Sequence, residues 1–211
     1  MRRGVFRGTR RTRALPLAVV ALLAACAAAD PRSRIRGALL EQPLTRPAFT
    51  LTDTGGRPFD FRAQTAGRLT LLYFGFTHCD DICPATMGHI AGALRTLPPD
   101  LAARTRVVFV TVDPARDTPA LLRAWLDHFS RAFVGLSGPD STVTRVERAL
   151  ELPVTEKGPV APDGSYDMGH SAEIVAFAPD GRAHVVYTAA ATQDDFRNDL
   201  PLILAAWPAP R

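Results

Sequence analysis

Two cysteines four positions apart, Cys79 and Cys83 in the run FTHCDDICP, are the residues of this chain best placed to do chemistry. Their sulfurs can close a disulfide or share one metal ion. Asp80 and Asp81 stand between them, and neighbouring carboxylates raise a thiol's pKa. That disfavours a fast nucleophile and suits a site whose resident charge is a cation. The same aspartates could instead satisfy the free N–H groups of a helix start. An inert stabilising bridge is the plainest alternative, yet so short a loop constrains the unfolded chain little.

The surrounding sequence predicts where these sulfurs sit. Leu69–Phe76 (LTLLYFGF) is a continuous apolar run, as expected of a strand buried on both faces. From Pro84 to about Leu97, Met87, Ile90, Ala91 and Leu94 fall on one helical face. The pair therefore lies in a strand-to-helix turn, where unpaired N–H groups and the helix dipole favour thiolate. Arg106–Val112 reads as a second buried strand, and Thr118 with Pro119 as a helix start running to about Phe129. Val134–Leu136 is expected as a short strand and Ser141–Leu150 as a helix. A Gly/Pro-bearing loop follows, then strand Glu173–Phe177, the turn Pro179-Asp180-Gly181, strand Ala183–Thr188 and a last helix over Gln193–Ala206. Upstream, Phe49–Thr52 and Pro58–Phe61 read as short added strands around a turn. Strand–helix–strand–helix, then a hairpin and a closing helix, implies an α/β fold with a mixed central sheet flanked by helices. With a cysteine pair ending the first buried strand, a thioredoxin-like layout is expected.

A metal would need a third ligand, and five histidines are available. His89 is mid-helix, His128 suits a helix C-terminus, and His184 lies in the hairpin with no chemical neighbour evident. His78 abuts Cys79, but adjacent residues on an extended segment face opposite ways. His170 closes the long loop just before strand Glu173–Phe177, a junction that a thioredoxin-like layout brings near the cysteine turn. Redox thioredoxins carry a proline there, whereas no proline touches Ser171 or Ala172. Two thiolates and an imidazole suit Cu(I), Cu(II) or Zn(II). A closed structural zinc site would want a fourth protein ligand, so one copper per chain with an open position is the better expectation. Met168 is a candidate weak ligand and Met87 a core residue. Asp113 and Arg116 sit at the same sheet edge as Cys79. They are turn and ion-pair residues, or supports for the metal loop and a docking partner.

The N-terminus bears on compartment. Six arginines in the first thirteen residues precede an uncharged apolar run from Ala14 to Ala25, a signal-peptide layout too short for a stable membrane span. Leu23-Ala24-Ala25-Cys26 resembles a bacterial lipobox, so residues 1–25 are expected to be removed and Cys26 lipidated. A tether would follow over 26–46 and a single domain over 47–211. The whole chain carries +4, but residues 1–25 hold six arginines and no acid, which leaves −2. No basic character remains to support nucleic-acid binding. Outside the cytoplasm the cysteines face oxidation unless something reduces or ligates them.

The segments FGFTHCDDICP and TVDPARDTP, with GHS around His170, resemble the Sco/SenC family of copper-binding, thioredoxin-fold proteins over roughly Arg46 to Ala206. The resemblance implies that Cys79, Cys83 and His170 ligate copper and that the pair can also act as a redox disulfide. Asp81, Asp113 and Arg116 are, on their positions alone, candidate supporting or docking residues around the site. The resemblance further implies a metallochaperone, not an enzyme, lipid-anchored on the outer face of the cytoplasmic membrane. The implied acceptor is the copper-bearing subunit of cytochrome c oxidase, with other periplasmic copper chaperones or thiol reductases as partners. The alternative is a thiol–disulfide oxidoreductase that keeps the acceptor's cysteines reduced. A thiol peroxidase is disfavoured by the flanking aspartates. Two positions depart from the family pattern: Asp80 stands where members often carry proline, and Gly169 where an aspartate often precedes the histidine.

Overall fold

The computed structural model describes residues 30–210. At its centre, β4 (Leu69–Gly75) and β5 (Thr105–Thr111) run parallel in unbroken register from Leu69↔Thr105 to Gly75↔Thr111. Every residue of β4 is buried, because both faces of the sheet are covered. Alternate residues therefore feed two cores. Leu69, Leu71, Tyr73, Val107 and Phe109 pack under the crossover helix α2 (Ile82–Thr96) with Met87 and Ile90. Leu72, Phe74, Val108 and Val110 face Phe49, Phe61 and Val143 on the other side.

The eight-stranded sheet is completed by β1 (Ala38–Thr45), β2 (Thr50–Asp53), β3 (Pro58–Asp60), β6 (Val134–Ser137), β9 (Ile174–Phe177) and β10 (Arg182–Tyr187). Its order is β1-β10-β9-β4-β5-β6-β2-β3. β6 continues the parallel set beside β5, while β9 lies antiparallel beside β4 and β10 antiparallel beside β9. The helices are α1 (Phe61–Gln64), α2, α3 (Pro99–Ala103), α4 (Pro119–Asp127), α5 (Asp140–Ala149) and α6 (Gln193–Ala206). A separate two-stranded ribbon pairs β7 (Glu156–Lys157) with β8 (Met168–Gly169) inside the long loop. The mixed α/β architecture expected from the sequence is present. Thr118 caps α4, its side chain accepting from Leu121 N, with Pro119 at the first helical position.

The tether expected over 26–46 gives way from Pro31 onward. Pro31–Arg34 forms a 3-10 turn, and β1 pairs antiparallel with β10. β1 escapes a periodicity reading because it is an edge strand, mostly exposed, with Pro43 inside it and its register shifting between Leu39 and Leu44. Two backbone groups weld this segment down: Arg36 N and Gly37 N donate to the buried Asp199 carboxylate, which also accepts from Tyr187 OH and Asn198 Nδ2. Phe61, expected to end a strand, instead starts α1 because Asp60 caps it, accepting from Ala63 N. Residues 1–25 and Cys26 lie outside the described residues. Among those described, no helix is long and apolar enough to cross a membrane.

Candidate metal centre

Cys79 leaves the C-terminal end of β4 in a turn whose N–H bonds to Phe76 O at 3.3 Å. Cys83 lies in the first turn of α2. The usual capping oxygen is missing there, because the Asp81 side chain makes no bond to the helix end. Instead, Cys79 Sγ accepts from Cys83 N at 3.4 Å, so the sulfur itself takes one of the free N–H groups. Asp80 and Asp81 are exposed, and the expectation that they satisfy the helix start is not met.

The two sulfurs differ in surroundings. Cys83 is fully buried, and burial pushes its thiol up to about 12, against the weaker lowering effect of the Tyr73 hydroxyl, which donates to Sγ at 3.5 Å. Gly75 is required beside it, since a Cβ there would approach Cys83 Sγ to 2.8 Å. Cys79 is only half-buried. Alkylation of the reduced, metal-free protein at pH 8 is therefore expected to mark Cys79 first. Burial keeps Cys83 in its unreactive thiol form and out of reach of the reagent. Peptide mapping after iodoacetamide would overturn this reading if Cys83 reacted as fast.

His170 enters from β8, immediately before β9. Its Nδ1 lies 2.8 Å from Ser171 O and its Nε2 3.8 Å from Cys83 Sγ. A carbonyl partner for Nδ1–H leaves the Nε2 lone pair free for a cation. The backbone thus orients the imidazole at the position where Gly169 offers no carboxylate. Edge contacts with Phe76 (5.4 Å between centroids) and Tyr73 (6.3 Å) hold the ring. Ligand atoms of Cys79, Cys83 and His170 all lie within 4.8 Å of one another. Two soft sulfurs and one borderline nitrogen at this spacing fit one small, thiophilic ion.

The other histidines stay away from this centre. His89 Nδ1 meets Ala191 O, His128 Nδ1 meets Trp125 O, and His78 Nδ1 lies 3.5 Å from Asp117. His184 does have neighbours: Asp180 at 2.7 Å and the Trp207 ring stacked 4.1 Å away. Met168 is half-buried against the core.

Two buried carboxylates position the site. Asp117 accepts from Thr77 N (3.0 Å), Thr77 Oγ1 and Thr111 Oγ1, so it fixes the segment that leads into Cys79. Asp113 pairs with Arg116 Nε and accepts from Tyr166 OH at 2.8 Å. The Tyr166 ring is held between the Arg116 guanidinium (3.9 Å) and Lys157 Nζ (3.8 Å). Arg116 also donates to Tyr166 O at 3.2 Å. Asp113 and Arg116, expected near the site, thus touch the loop that carries His170. Asp117 and Tyr166 went unrecognised as site supports; the hint for Asp117 was its place just before the Thr118–Pro119 helix start. Tyr166→Ala is expected to weaken metal binding about 10- to 100-fold, the range typical of residues that orient a ligand. It should leave the alkylation rate of Cys79 unchanged. Equal metal affinity in variant and wild type would contradict the role.

The profile of the SCO1/SenC family matches residues 38–204. A protein of Stutzerimonas stutzeri whose name proposes copper binding is 34% identical over 177 residues, covering 80% of this chain and 85% of that protein. The chain spans 44% of mitochondrial SCO2 of Saccharomyces cerevisiae, a longer relative. Among solved structures, apo Sco1 of Thermus thermophilus superposes with a TM-score of 0.73 at 30% identity, covering 81% of this chain and 97% of that one. Copper-bound ScoI of Bradyrhizobium japonicum gives 0.66 at 33% identity, covering 75% and 98%.

Proposed function

The chain belongs to the SCO1/SenC family, and from that footing we propose that it is a membrane-tethered, extracytoplasmic copper metallochaperone serving cytochrome c oxidase. One copper ion is its cargo, taken by Cys79, Cys83 and His170, and the acceptor is the copper-bearing oxidase subunit. The observation that carries this reading is the convergence of two sulfurs and one imidazole nitrogen within 4.8 Å. The donor set fits copper: thiolates favour the soft cuprous ion, and the imidazole accommodates either oxidation state. Three protein donors leave a position through which an incoming ligand can take the cargo. Both thiols give up their protons on loading, so uptake releases acid.

The site explains why each neighbour is there. Ser171 O holds the imidazole tautomer that presents Nε2. Phe76 and Tyr73 wall off water on the inner side. Asp80 and Asp81, left exposed at the rim, add negative charge where a cation arrives and where a partner docks. A signal peptide over 1–25 and lipidation of Cys26 would hold this machinery at the outer face of the cytoplasmic membrane, where other periplasmic copper chaperones or thiol reductases could reload it.

A second reading rests on one asymmetry. Cys79 is accessible while Cys83 lies beneath it, an arrangement suited to thiol–disulfide exchange. In that role the dithiol would become a disulfide as the acceptor's disulfide became two thiols. Mixing copper-loaded protein with the metal-free, reduced oxidase subunit separates the two. Copper moving to the reduced acceptor supports delivery. Reduction of an oxidised acceptor by metal-free protein, with no copper transfer in the first arm, would replace delivery with the reductase.

A further inference from the structure

The end of the sheet opposite the metal centre is rich in arginine and poor in counter-charges, with Arg46 buried beneath the exposed side chains and facing the Asp180 charge. Arg46, Arg62, Arg68, Arg104, Arg106 and Arg182 gather where β4 and β5 begin and β9 turns into β10. Arg46 donates to Arg68 O and Ala178 O, Arg62 to Arg46 O, and Arg68 to Ala103 O. Arg106 stands one register step beyond Leu69↔Thr105, and Arg182 opens β10 opposite Thr45. Six other arginines of the described residues each pair with a carboxylate. None of the arginines at the far end does, and five of the eleven arginines elsewhere among the described residues are likewise without a salt bridge. The acids nearby are few: Asp60 caps α1, Asp180 is engaged by His184, and Asp100 lies in α3. The crowding registers in Arg106, held below its ordinary value first by burial and then by the charge of Arg68. Arg46 and Arg62 also line a shallow hollow with Gly67 and Asp180.

The N-terminal segment reaches this same end. Arg32 lies over the Trp207 ring, Trp207 stacks on His184, and His184 bonds to Asp180 beside the hollow. Cys26 precedes Asp30 by four residues, a reach of at most about 14 Å. β4 has seven residues, which separates this end from Cys79 by roughly 20 Å.

We propose that the arginine end is a docking surface for anionic phospholipid headgroups. It lies flat on the membrane beside the anchor and holds the Cys79–Cys83–His170 centre facing away from the bilayer. A lipidated cysteine fixes proximity but leaves the domain free to turn, and a basic patch against anionic headgroups fixes its orientation. The inference rests on the anchored part of the proposed function and not on copper.

The test is amide hydrogen exchange on the full chain, purified from membranes with its anchor and reconstituted into two kinds of vesicle. One is phosphatidylcholine alone; the other contains about one-third phosphatidylglycerol. Exchange in 62–67, 101–106 and 179–182 is expected to slow several-fold only in the anionic vesicles and to recover in 0.5 M salt, where screening is short-ranged. Residues 79–82 should exchange equally in both. Arg104→Gln with Arg182→Gln, two exposed side chains that make no bond in the structure, should abolish the difference. Equal exchange at the arginine end in both vesicles overturns the proposal, as does protection by a soluble acidic peptide or DNA fragment but not by anionic lipid. Failure to stay with either vesicle would instead defeat the anchor, and this orientation with it, while leaving copper binding untouched.

Discussion

His170→Ala is expected to lower copper affinity by at least about 100-fold, while the reduced variant keeps its fold and the alkylation order of its cysteines. Losing an outer partner of a ligand costs 10- to 100-fold, and losing the ligand itself exceeds that. The imidazole supplies the only nitrogen among the three converging donors. Its removal leaves the Cys79–Cys83 dithiol, which can still exchange disulfides. Competition against a copper chelator of known affinity gives the ratio. A change of less than about threefold would exclude His170 from the coordination shell. A variant that loses copper yet still reduces an oxidase-derived disulfide would show that the two chemistries share sulfurs but not the histidine.

The second large effect lies outside the donor set. Asp117→Ala should destabilise the metal-free protein by about 2–4 kcal/mol, since a buried carboxylate that takes three hydrogen bonds is lost and an unsatisfied buried donor costs about 1–3 kcal/mol. Asp117 is 1% exposed and its oxygens take Thr77 N, Thr77 Oγ1 and Thr111 Oγ1. Alanine would leave the buried Thr111 hydroxyl and the part-buried Thr77 N–H and hydroxyl without their acceptor. Asp117→Asn keeps one oxygen acceptor and is expected to recover part of the loss. The denaturant midpoint measures it, with the slope showing that the unfolded reference is unchanged. Because Thr77 leads into Cys79, copper affinity should fall alongside stability. An alanine variant within 1 kcal/mol of wild type would show that the carboxylate is not what holds the turn.

Much of this architecture was readable from pattern. Leu69–Phe76 and Arg106–Val112 had no polar face, and a strand with no polar face must be covered on both sides; the structure places them as β4 and β5 at the centre. The helix start at Thr118–Pro119 and the turn at Pro179-Asp180-Gly181 followed from local chemistry that tertiary contacts did not override. β1 was not readable, because an exposed, proline-bearing edge strand depends on its partner β10 and on Asp199, both more than 130 residues away. The Cys79–Cys83–His170 juxtaposition could be expected once the fold was inferred. Its supports could not. Tyr166 acts through a ring lodged between Arg116 and Lys157, and nothing in the spacing of these residues foretells that contact. Capping of α2 by Cys79 Sγ in place of an aspartate oxygen was equally hidden, since Asp80 and Asp81 look like the better caps.

The most direct test of the copper centre is X-ray absorption at the copper edge of protein loaded with one equivalent. The donor set predicts a first shell of two sulfurs and one imidazole nitrogen, with the nitrogen missing in His170→Ala and one sulfur missing in Cys83→Ser. A shell of nitrogen and oxygen only, or one unchanged by either substitution, would contradict it.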